Sequence, residues 1–118
     1  MPVNYTPKPI KADVTFPVRA VNTQYQNLRL RPLLVIVATT LITWAPGVDT
    51  ARLTALVGAV PPLAAVDTVA HVGNVGAIDH IHNATLTFIV PPGWYYYALE
   101  FLAGGGTNVV LSWTEVEL

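Results

Sequence analysis

A chain of 118 residues has the size of one domain, and a composition 53% hydrophobic but only 11% charged leaves too few charges to coat a monomer, so partners are expected to cover part of its surface. The formal net charge of -1 excludes the basic footprint that binding a phosphate backbone requires, and the absence of cysteine removes disulfides, thiolate nucleophiles and cysteine-ligated zinc. The opening MPVNYTPKPIK lacks the apolar core of a secretory signal, and the longest apolar run, Leu33 to Ala45, is interrupted by threonines and is shorter than the roughly 20 residues of a membrane span, so neither nucleic acid nor membrane is expected as a partner and synthesis is expected in a cytoplasm.

In chain order, Pro2, Pro7, Pro9 and Pro17 forbid a helix and favour extended geometry, so residues 1–22 read as an arm that becomes ordered on a neighbouring protein. Residues 23–118 read as a single all-β domain, a β-sandwich or jelly-roll-like fold. Its first strong strand, Leu33 to Thr43, is rich in β-branched residues and stops before Pro46-Gly47. Further strands are predicted at Arg52 to Val60, Ala65 to Val72, Thr85 to Val90, Trp94 to Leu102 and Val109 to Glu117, each followed or preceded by Gly or Pro punctuation. The nearest helical candidate, Thr50 to Val57, reads as strand because Val57-Gly58 and Pro61-Pro62 end it too soon.

Strict alternation places Tyr95, Tyr97, Leu99 and Phe101 on the core face of their strand, with Trp94, Tyr96, Ala98 and Glu100 on the other. In the last strand it groups Val109, Leu111, Trp113 and Glu115, opposite Val110, Ser112, Thr114 and Val116. Trp94 and Tyr96 are candidates for an intersubunit contact, and Trp94, Tyr96 and Trp113 together for trimer or core packing.

Asp79-His80-Ile81-His82 is the one cluster with metal-ligand character, since His-x-His on a strand points both rings to one side, and His71 or Asp67 would have to supply a third ligand. A polar inter-strand stretch from Gly76 to Asn83 is the preferred reading, so no metal, cofactor or catalytic residue is expected. The only serine, Ser112, sits inside a predicted strand and no nucleophile elbow surrounds it, so the chain is not expected to be an enzyme.

Tyr25-Gln26-Asn27 followed by Arg31-Pro32-Leu33, then Val90-Pro91-Pro92-Gly93-Trp94-Tyr95-Tyr96 and the near-terminal Ser112-Trp113-Thr114-Glu115, resembles small β-structured virion proteins of tailed bacteriophages. These include capsid decoration (cement) proteins and the C-terminal modules of tail fibres. The resemblance implies a structural protein on the capsid exterior that binds the major capsid protein and associates as a homotrimer. A tail-tip or tail-fibre module that recognises a host receptor is the alternative. On the first implication, Tyr5, Pro7, Lys8, Pro9, Ile10 and Phe16 are the expected capsid contacts.

Overall fold

The computed structural model describes residues 13–43, 49–72 and 81–118. Eight strands and, among these residues, no helix make up the fold: β1 (Asp13–Thr15), β2 (Gln24–Gln26), β3 (Leu33–Ile42), β4 (Thr50–Gly58), β5 (Ala64–Val72), β6 (Ile81–Val90), β7 (Tyr95–Ala103) and β8 (Thr107–Glu117). In β3 the alternation is regular: Leu33, Val35, Val37, Thr39 and Leu41 are buried, and Leu34, Ile36, Ala38, Thr40 and Ile42 point the other way.

The strands pair as a nested series. β4 joins β5, β3 joins β6, β2 joins β7 and β1 joins β8, all antiparallel, so the chain is one long hairpin with its tip between β4 and β5. The hairpin is then rolled, because β8 also pairs with β3 and β7 with β4. Two four-stranded sheets result, β1-β8-β3-β6 (the first) and β2-β7-β4-β5 (the second). Eight antiparallel strands in this order, in two packed sheets, form a jelly roll. Leu33, Val35, Val37, Leu86, Phe88, Val90 and Trp113 of the first sheet meet Leu53, Ala55, Val57, Tyr96 and Ala98 of the second to form the core.

Three sequence expectations are corrected. The faces of β7 are reversed: Tyr96 and Ala98 are buried, whereas Leu99 is 38% and Phe101 45% exposed. Ala98 lies beside Ala55 and Tyr96 beside Val57 on the inner side, and the Tyr96 hydroxyl finds a partner there. The outer set is as apolar as an inner set would be, so hydrophobicity did not discriminate. In β8, Ala38 pairs with Ser112 but Thr39 with Val110, leaving Leu111 as a β-bulge. The extra residue shifts the alternation, so Trp113 and Glu115 point inward, Val110 packs on the core, and Val109 and Leu111 face out. Finally, Ile81, His82 and Asn83, expected in a polar loop, extend β6 opposite Ile42, Leu41 and Thr40.

Residues 13–22, expected as part of the arm, lie against the domain. β1 pairs with Glu115–Glu117 of β8, and Asn22, in the left-handed region at φ 58°, donates its amide to Ala98 O while its side chain accepts from the Glu100 amide. Asn tolerates that backbone region better than most residues because its short polar side chain bonds locally. Pro17, with φ fixed and no amide proton, keeps β1 from continuing along β8.

Candidate functional site

The inner ends of β7 and β8 bring together a polar node inside an otherwise apolar core. Glu115, 3% exposed, accepts the Tyr96 hydroxyl at 2.8 Å and the Trp113 indole N–H at 3.0 Å on Oε2. Arg19 reaches the same carboxylate with Nε and Nη2, each at 3.4 Å, and lays its guanidinium 4.5 Å from the centre of the Tyr25 ring. Tyr25 in turn sits 5.7 Å from Tyr96 and 6.2 Å from Trp113, centroid to centroid. Burial, then the hydrogen bond to Glu115 and its charge, raise the Tyr96 phenol above its ordinary value. Burial works against the Arg19 charge, but the bond to Glu115 and the neighbouring Tyr96 and Glu115 charges outweigh it, so its pKa is raised.

A cleft of about 140 Å³ opens above this node between Arg19, Asn27, Arg29 and Tyr96. Its charged groups answer one another: Arg19 bonds Glu115, and Arg29 bonds Glu117 at 2.8 Å and Asp13 at 3.4 Å. The node therefore works as a fastening. It ties the segment leading out of β1, through Arg19, to the last strand of the chain.

Asn27 fastens the opposite end of the cleft. It is buried, its Nδ2 donates to Arg31 O at 2.9 Å and Val90 O at 3.0 Å, and its Oδ1 accepts the Arg29 amide at 3.0 Å. Its backbone bonds Trp94 O and the Gly93 amide, which anchors the Pro91–Trp94 turn. The sequence pointed to Trp113 and Tyr96 but not to Glu115 as the acceptor they share, nor to Arg19 as the cation bound to it. The available signal was Trp113 and Glu115 two apart on one strand face, in a chain with few carboxylates.

Of the residues singled out from sequence, Tyr96 and Trp113 are core, and Trp94 lies at the turn, 39% exposed. Phe16 is 75% exposed beyond β1. Tyr5, Pro7, Lys8, Pro9 and Ile10 lie outside the described residues, as do Asp79 and His80. His82 stacks on His71, with centroids 5.5 Å apart, and Asp67 is elsewhere, accepting the Thr68 and Thr87 amides. Among the described residues no three His, Asp or Glu side chains are grouped to hold a metal.

The remaining candidate surfaces are the outer faces of the sheets. On the first sheet, register places Val14, Val116, Leu34 and Ile89 in one row, followed by Thr114, Ile36 and Thr87, then Ser112, Ala38 and Thr85. Val109, Thr40 and Asn83 form the next row, then Thr107, Ile42 and Ile81, with Leu111 standing out at the bulge. Among the described residues this whole face carries no charged side chain. The outer face of the second sheet presents Tyr95, Tyr97, Leu99, Phe101 and Leu56, and in its strands a single charge, Arg52, placed 4.7 Å from the centre of the Phe101 ring. No family model, curated protein or solved structure matches this chain.

Proposed function

We propose that this chain is a structural virion protein of a tailed bacteriophage, a capsid decoration (cement) protein that associates as a homotrimer and binds the major capsid protein lattice. One observation carries the reading: both sheets of a jelly roll turn almost uncharged faces outward. Depletion of charge is what marks the surfaces that proteins bury against one another. Among the described residues, Arg19, Arg29, Asp13, Glu115 and Glu117 answer one another around the cleft and Arg52 is the one charge on either outer face, which suits a module whose broad surfaces meet protein. The phage resemblance supplies the setting. In it, residues 1–12 reach over adjacent capsid subunits with Tyr5, Pro7, Lys8, Pro9 and Ile10 as contacts, while residues 13–22, held on the domain by β1 and the Arg19–Glu115 bond, add the exposed Phe16.

Binding assembled lattice in preference to free subunits stabilises the shell by mass action. Quantitative mass spectrometry of the particles that carry the protein tests this. Decoration requires copies in proportion to the capsid lattice, hundreds per particle. A handful of copies, confined to the tail, would move the function to host recognition and overturn the decoration reading.

A further inference from the structure

We infer that the outer face of the first sheet is the surface on which one copy of this chain packs against another. The inference deepens the proposed function and rests on its self-association component, assigning that component to one of two available faces.

The first consideration is composition. A surface that meets its own copies cannot rely on opposite charges unless both signs are built into it, and misplaced like charges repel. The β1-β8-β3-β6 face avoids the difficulty by carrying no charge among its described residues. Its polar positions are mainly hydroxyls, Thr114, Ser112, Thr85 and Thr87 among them, and a hydroxyl both donates and accepts, so identical copies can pair whichever way the rows meet. Its apolar positions are aliphatic and well exposed, with Ile89 at 55% and Leu111 at 61%. Aliphatic and hydroxyl side chains without charge leave nothing on this face to repel a second copy of it.

The second sheet differs. Tyr95, Tyr97, Phe101 and Arg52 are residue types enriched where energy concentrates in contacts with other proteins. Two faces of contrasting chemistry on one small domain fit two contacts, and the aliphatic, hydroxyl-bearing one fits a copy of itself.

Area is the second consideration. Three long strands and the short β1, spaced about 4.8 Å apart and rising about 3.3 Å per residue, span roughly 500 Å² in projection. Covering that area on both partners removes about 1,000 Å² before side-chain relief is counted, which meets the minimum of about 1,000 Å² expected of a biological interface.

Sedimentation equilibrium of the full chain tests the assignment, with Ile89→Lys and Thr85→Lys on the first sheet and Leu99→Lys on the second. All three positions are exposed or partly exposed, and far-UV circular dichroism confirms the fold of each variant. The unmodified chain is expected to sediment as an oligomer. Either first-sheet lysine is expected to weaken association at least about tenfold, and Leu99→Lys to leave it unchanged. A single-chain mass for the unmodified protein at micromolar concentration would overturn the inference. So would an oligomer indifferent to both first-sheet lysines, or one dissociated by Leu99→Lys. Copy number per particle is read separately, so a solution oligomer with too few copies on particles would refute decoration while leaving this interface standing.

Discussion

Replacing Glu115 by leucine removes the acceptor from two buried donors at once. The Tyr96 hydroxyl at 2.8 Å and the Trp113 indole N–H at 3.0 Å both converge on Oε2, and leucine accepts neither. Each stranded buried donor costs about 1–3 kcal/mol, so the pair costs about 2–6 kcal/mol. The bond to Arg19, whose side chain is 30% exposed, adds no more than about 1 kcal/mol. Set against the roughly 5–15 kcal/mol by which a domain is stable, Glu115→Leu leaves the fold marginal. Glu115→Gln keeps a carbonyl oxygen where the two donors meet and loses chiefly the ion pair, about 1 kcal/mol. Tyr96→Phe, which leaves the carboxylate its other partners, costs about 1.5–3 kcal/mol, the range of a hydrogen bond to a charged group. The decisive variant is the double one: Tyr96→Phe added to Glu115→Leu removes a stranded hydroxyl and is expected to restore about 1 kcal/mol. Urea unfolding at fixed protein concentration, followed by tryptophan fluorescence, reads all four variants. A Glu115→Leu protein within 1 kcal/mol of the parent, or a double variant weaker than Glu115→Leu, would refute the role assigned to the node.

Three further expectations concern particular groups. Because burial and Glu115 raise the Tyr96 phenol above its ordinary 10.0, the unfolded chain releases this proton near pH 10 while the folded chain retains it. The unfolded state then binds fewer protons, so this contribution is whole below pH 10 and stability falls by about 1.4 kcal/mol per unit as pH rises above it. Ultraviolet difference titration of folded and urea-unfolded chain should show the folded form lagging by one phenolate, and coincident curves would contradict the buried placement. Asn27→Ala strands the Arg31 and Val90 carbonyls and the Arg29 amide. It is expected to cost about 2–4 kcal/mol in denaturant and to speed hydrogen exchange at Arg29. Gly106→Ala drives a methyl group onto the Thr50 carbonyl of β4, whereas at Gly93 a methyl meets open space and only the φ of 80° resists it. Gly93→Ala should therefore cost about 1–2 kcal/mol and Gly106→Ala more, a ranking that thermal unfolding checks directly.

Strand content was legible because β-branched runs stop at Gly and Pro, and β3 shows why: its alternation is unbroken and both of its neighbours match it residue for residue up to Ala38. Side-chain facing was not legible from apolarity alone. In β7 both sides are apolar, and what decides between them is a hydroxyl reaching a carboxylate on another strand, which no local pattern encodes. In β8 the bulge at Leu111 changes the phase of alternation within the strand, and nothing in Val109-Val110-Leu111-Ser112 marks which residue is extra. Glu115, the centre of the polar node, was placed beside Trp113 by alternation, yet its partners come from positions 19 and 96 and only the rolled topology brings them together.

The same topology bears on the proposed association, favouring faces over edges. An exposed sheet edge invites further strands, and each edge here is interrupted. β1 covers the end of β8 until Pro17 stops it, and the Leu111 bulge disturbs the remainder of that strand. β2 and the left-handed Asn22 occupy β7 from Tyr95 to Glu100. At the other side of the sandwich the β5 register slips at Val66, and beside it Asp67 accepts the Thr87 amide on the outer edge of β6. A chain that interrupts its sheet edges while leaving both outer faces almost free of charge disfavours open-ended sheet growth. What it leaves available is face-on packing, in which the number of copies is limited by geometry and the surface outside the contact remains free for a second partner.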